Sequence, residues 1–108
     1  MRIDEYEETL INNIKIVEHH GVKNQIPIWI EEMSELTKEL CKWYRVYDEL
    51  EGDITPDLLE NIKGEVTDVT VCLDQIKYKI KFLEDELMEY YKIKVDRENK
   101  RMLERNDK

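Results

Sequence analysis

Glycine, proline and cysteine are scarce in this chain, at three, two and two among 108 residues. So few turn formers leave little room for the tight connections of a sheet fold, and β-branched runs are few, so an all-α protein of three or four helices is expected. Cys41 and Cys72 have no Cys-x-x-Cys spacing, which excludes a zinc ribbon and a disulfide framework and fits a reducing cytoplasm. No apolar run approaches the length of a membrane span, and the acidic opening from Met1 to Glu8 lacks the basic and then apolar stretch of a signal peptide. The expectation is a cytoplasmic chain with no membrane partner. Basic residues are the minority, 17 Lys and Arg against 26 Asp and Glu for a net charge of -9, and this excludes nucleic acid, whose phosphates are bound by Lys and Arg. A Walker-type glycine-rich loop is also missing, as are a zinc motif and a Ser or Cys with a partner to activate it.

What the chain does have is carboxylate, placed in two related patterns. In Glu31-Glu32-Met33-Ser34-Glu35 the spacing puts Glu32 and Glu35, and also Glu31 and Glu35, on shared helix faces; in Glu65-Val66-Thr67-Asp68 it pairs Glu65 with Asp68. Glu32 lies three residues after Trp29 and four before Leu36, and Glu65 three after Ile62 and four before Val69. Both are written into the edge of an apolar stripe, where an unpaired carboxylate costs several kcal/mol, roughly 3 or more. Lys38, Lys42 and Lys63 are too few to neutralise four or five carboxylates meeting between two helices, which leaves a bound cation. Oxygen donors of this kind suit Mg²⁺ or Mn²⁺ rather than zinc.

Taken in order, a first helix is expected from Asp4, with Glu7 completing an approximate capping box, and with Ile3, Tyr6, Leu10, Ile14 and Val17 as its buried stripe. Gly21 suits the left-handed position beyond its end. His19 and His20 lack the Glu-x-x-His of a di-iron bundle and are not read as ligands. A second helix is expected to start near Asn24 and Gln25, because Pro27 belongs in a first turn. It would bury Ile26, Trp29, Ile30, Met33, Leu36, Leu40, Trp43 and Tyr47, with Glu39 at an exposed boundary. Thr55-Pro56-Asp57 reads as N-cap, first helical residue and acidic first turn of a third helix burying Leu58, Ile62, Val66, Val69, Leu73, Ile76 and Ile80. Gly64 within it calls for a close neighbour, since glycine costs up to about 1 kcal/mol relative to alanine there. A last helix runs from Leu83, and residues 96–108 form a polar helix end or tail. The core of this single domain, 1–108, spans about 4–95. So short and charged a chain, with Trp29, Trp43 and several tyrosines to cover, is expected to be a homodimer or a dimer of dimers.

The order Gly21-x-x-x-Gln25, Glu31-Glu32-x-x-Glu35-Leu36, Glu65-x-x-Asp68-Val69 resembles the MazG-like all-α nucleoside triphosphate pyrophosphohydrolases, a superfamily that includes the dimeric dUTPases and phosphoribosyl-ATP pyrophosphatases. The likeness covers roughly residues 18–80 and extends loosely to Lys94 and Arg97. It implies a four-helix bundle completed by dimerisation and Mg²⁺-dependent attack of water at the α-phosphorus, giving a nucleoside monophosphate and pyrophosphate. It also implies that Glu32, Glu35, Glu65 and Asp68 hold the metal, that Glu31 is a further ligand or the base that orients the water, and that Gln25, Lys94 and Arg97 bind the substrate. Gly64 stands where many relatives carry another Glu, and the gap from Glu35 to Glu65 is towards the long end. The rival readings are a non-catalytic helical module for dimerisation or regulation, and a fold that binds a nucleotide without turning it over.

Overall fold

Helix follows helix in the computed structural model, which describes residues 1–105: α1 (Ile3–His20), α2 (Val22–Val46), α3 (Pro56–Ile80) and α4 (Glu84–Glu104). No strand occurs among the described residues, so the expected all-α class holds. The polar end expected over 96–108 is helical to Glu104, and its last three positions lie outside the described residues.

The helix ends are set by local chemistry, at places slightly different from those predicted. α1 begins before Asp4, because the Glu5 carboxylate accepts the Arg2 backbone N–H at 3.3 Å and closes the first turn in place of Glu7. Gly21 has φ 81 and ψ 153, a conformation open in practice to glycine alone. Its N–H donates to the Val17 carbonyl at 2.8 Å and its own carbonyl accepts from Gln25 N–H at 3.1 Å, so one residue ends α1 and opens α2. The second helix therefore starts at Val22 rather than Asn24, and Pro27 lies inside it, beyond the first turn. The helix passes through at the loss of the bond that residue 27 would have made to the Lys23 carbonyl. At α3 the expected cap is present: Thr55 Oγ1 accepts the Leu58 N–H at 3.3 Å and Pro56 leads the helix.

α2 and α3 form an antiparallel hairpin, since rising numbers on α2 meet falling numbers on α3: Trp29 faces Gln75, Glu32 faces Asp68, and Glu39 lies in the field of Glu65. α1 packs against both. Val17 is wholly buried where the three meet, beside Trp29 and Cys72 and flanked by Val22 and Ile76. α4 pairs with none of these helices and is tied near its root by Lys77 to Glu84 at 3.5 Å. Within one chain the bundle is thus three helices with a fourth standing apart. The radius of gyration is 17.7 Å, against about 13 Å for a closely packed chain of this length. The accessible area of 9194 Å² likewise exceeds the roughly 6,400 Å² expected for this mass.

The faces buried between α2 and α3 differ from the most apolar stripes. On α2 the inner seam is Gln25, Trp29, Glu32, Leu36, Glu39 and Trp43; on α3 it is Leu58, Ile62, Glu65, Val69, Cys72 and Ile76. Both alternate steps of four and three, the spacing of two helices that pack along their length. Ile26, Ile30, Met33 and Leu40 on α2, with Val66, Leu73 and Ile80 on α3, were expected inside and are exposed. So are Ile3 and Tyr6, at the free end of α1. The reason is chemical: the inner seam carries carboxylates and amides, and a count of apolar residues favours the neighbouring stripe.

Candidate functional site

Glu32 sits mid-helix on α2 and Glu65 and Asp68 lie one turn apart on α3, so the antiparallel hairpin brings all three to one place. Among the described residues they form one group in which each offers a carboxylate oxygen, all within 4.8 Å of one another. Glu32 and Glu65 are half-buried and Asp68 is exposed, so the group lies at the mouth of the seam. Loss of water raises the Glu32 carboxyl above its ordinary value of 4.5, and Asp68 raises it further by its charge and by its side-chain proximity, with Glu65 and Glu31 adding to the effect. Glu65 is raised in the same way, first by desolvation and then by Asp68, Glu35 and Glu39, with Lys38 opposing. Its Oε2 is buried without a hydrogen-bond partner among the described residues. Carboxylate oxygens gathered this closely, where water is partly excluded, could hold a divalent cation, which would offset their mutual repulsion.

Of the remaining predicted residues, Glu35 is half-buried one turn further along and contributes to the field at Glu65, but it is not one of the three that converge. Glu31 is exposed beside Glu32. Lys94 and Arg97 are exposed on α4, and the fold of a single chain does not bring them to the carboxylates. Gln25 is buried and lines a cavity of about 280 Å³ together with Glu32, Asp68 and Cys72. The Cys72 thiol is pushed up, first by burial and then by the charges of Glu32 and Asp68.

Three features of the site differ from expectation or were not read in the sequence. Glu39 is not a boundary residue: it is 7% exposed, its Oε1 accepts from Lys42 Nζ at 2.9 Å, and its Oε2 has no partner among the described residues. The 4-3-4-3 spacing Gln25, Trp29, Glu32, Leu36, Glu39 would have found it. The buried Gln75 and the half-buried Asn13 form an amide pair that no motif announces, although Gln75 stands three residues after Cys72 on the inner face. Around Gly64 a side-chain carbon would meet nothing within 4 Å, so no close neighbour among the described residues accounts for that glycine. Trp29 is core and Trp43 is half-buried, its indole N–H donating to the Asp53 carbonyl at 3.0 Å, so both have structural partners. Compared with protein families, with curated proteins and with solved structures, the chain matches none.

Proposed function

We propose that the chain is a nucleoside triphosphate pyrophosphohydrolase of the MazG-like kind, dependent on Mg²⁺ or Mn²⁺ and working as a homodimer or a dimer of dimers. The observation that carries the reading is the convergence of Glu32, Glu65 and Asp68 with their oxygens within 4.8 Å. The donor set fits such a cation: all the ligand atoms are hard oxygens, and Glu65 Oε2 is buried without a partner. Glu32, Glu65 and Asp68 would hold it, with Glu35 next along the seam. When bound, a divalent cation supplies charge stabilisation on the phosphate oxygens and lowers the pKa of water.

The side chains do the positioning. Glu31, exposed beside Glu32, is assigned to orient the attacking water, and the cavity beside the carboxylates receives the rest of the nucleotide. Lys94 and Arg97 would reach the phosphates from α4 of a second copy, since α4 pairs with no helix of its own chain. The dimer is supported by the exposed stripes on α2 and α3 and by an accessible area roughly 2,800 Å² above expectation, an excess of the size that obligate interfaces bury.

Incubation with nucleoside triphosphates and Mg²⁺, followed by chromatography, is the test. Nucleoside monophosphate plus pyrophosphate is expected; diphosphate plus orthophosphate would place the attack at another phosphorus and end this reading.

A further inference from the structure

One oxygen on α3 holds two side chains of α2. The Trp29 indole N–H donates to Gln75 Oε1 at 2.7 Å, and Gln25 Nε2, one turn earlier on α2, donates to the same atom at 3.0 Å. All three residues are buried. An indole N–H can only donate, so the Gln75 atom beside it is the oxygen, and the amino group of that amide points the other way. There Gln75 Nε2 donates to Oδ1 of the half-buried Asn13 on α1 at 2.7 Å, and Asn13 Nδ2 donates to the Val71 carbonyl at 3.1 Å. A carbonyl can only accept, so the Asn13 amide is fixed as well. Asn13 thus turns the Gln75 oxygen towards α2, and neither amide has a second orientation that satisfies its partners.

The apolar members of the seam, Leu36 on α2 with Leu58, Ile62, Val69 and Ile76 on α3, are less selective. Apolar contact is non-directional, so packing alone admits α3 displaced by one turn along α2. A turn is about 5.4 Å. That exceeds the 4.8 Å that encloses the oxygens of Glu32, Glu65 and Asp68, and it is far more than a hydrogen bond survives. The displacement would part the carboxylates and strand the Trp29 N–H in the core, where an unmet donor is costly. In paired helices one buried amide is enough to set the register. Trp29 stands three residues before Glu32, and Gln75 stands seven after Asp68, so the polar clamp and the acidic group lie on the same two helices. We propose that Gln75 is a positioning residue, oriented by Asn13, that holds α2 and α3 in the one register at which Glu32 meets Asp68. That a cation then sits at these carboxylates rests on the pyrophosphohydrolase reading above; the register itself does not.

Register is read first in a chelator, by NMR. In the wild type the Trp29 indole N–H should give one sharp signal and a nuclear Overhauser contact to Cys72, its neighbour in the core. Gln75→Leu, which removes the oxygen, should split or broaden that signal and weaken the contact, while the indole of Trp43, bonded to Asp53, stays in place. Asn13→Ala, at a half-buried position, should do the same more weakly, and it decides the matter if Gln75→Leu does not fold. Val17→Ala, which opens the apolar core beside Trp29 and Cys72, is the control for packing: it should lower Tm and keep both the single signal and the Cys72 contact. Mn²⁺ affinity is read next, from the electron paramagnetic resonance of the free ion. Gln75→Leu should weaken it about tenfold or more, the range for groups that orient metal ligands, and Val17→Ala should leave it unchanged. A single Trp29 signal with its Cys72 contact intact in both Gln75→Leu and Asn13→Ala overturns the proposal. So does Mn²⁺ binding by Gln75→Leu at wild-type strength, or a Val17→Ala protein that loses the signal and the contact as fully as Gln75→Leu does. A wild type that binds no Mn²⁺ at millimolar concentration ends the metal reading instead, and the chelator spectra still decide the register.

Discussion

Glu65 is raised above its ordinary 4.5 by lost water and by Asp68, Glu35 and Glu39, against the opposing charge of Lys38, and Glu32 is raised alongside it. Both groups bind protons more readily folded than unfolded. Their contribution to stability is therefore present at low pH and lost as pH rises through their folded range. Glu18, lowered chiefly by its bond to Lys79, has the opposite sign: its contribution is present at neutral pH and lost on acidification. In a chelator, Glu65→Gln should thus gain most over the wild type near pH 7, and the gap should narrow as pH falls towards about 5. With Mg²⁺ the order reverses. A cation at one hundred times its dissociation constant adds about 2.7 kcal/mol to the native state, a rise of very roughly 10 to 20 °C in Tm, and the variant should show much less of it. Glu8→Gln, an exposed change on α1, should behave as the wild type. If Glu65→Gln and Glu8→Gln give the same melting temperatures with and without Mg²⁺ at each pH, Glu65 is an ordinary surface charge and the site assigned around it falls.

For an element, the informative position is Gly64 in the body of α3. Nothing stands within 4 Å of where its side chain would begin, so Gly64→Ala should gain the helix preference of about 1 kcal/mol and raise Tm by roughly 4 to 8 °C. A lower Tm would mean that another backbone lies against this turn. Helix order and most helix ends were legible because caps and breakers act over a few residues, as Thr55-Pro56 does. Pro27 points to a later start than the true one, because the glycine six residues earlier sets the start of α2 and a proline beyond the first turn removes one bond without ending the helix. Spacing placed Glu32, Glu65 and Asp68 in helical register with the apolar residues beside them, but it gave Glu35 the same standing, and Glu35 lies one turn away from the three that meet. Gln75 and Asn13 were not legible. Their burial depends on which of two adjacent stripes faces the partner helix, and that choice is made by contacts far apart in sequence. Lys94 and Arg97 show a related difficulty, because a helix that docks on nothing in its own chain leaves no trace of that in its sequence pattern.

For the whole molecule the question is what covers the second stripe. Ile26, Met33 and Leu40 recur every seven residues on α2, as Leu59, Val66, Leu73 and Ile80 do on α3, and all are exposed. A seven-residue apolar repeat on two neighbouring helices is the pattern by which helices of separate chains pack side by side. A surface this apolar is poorly suited to remain in water on a chain whose inner seam is already partly given to carboxylates. Light scattering at tens of micromolar should therefore return at least twice the 13.2 kDa of one chain. Val66→Glu, which places a charge in the exposed stripe and removes nothing from the inner seam, should return the mass of one chain and keep its helical circular dichroism. The same variant should lose turnover if α4 of a second copy supplies Lys94 and Arg97, while Mn²⁺ still broadens the signals around Glu32. A single-chain mass for the wild type would remove the dimer. A Val66→Glu monomer that still released pyrophosphate at the wild-type rate would show that each chain holds a complete site, and would leave α4 with no part in it.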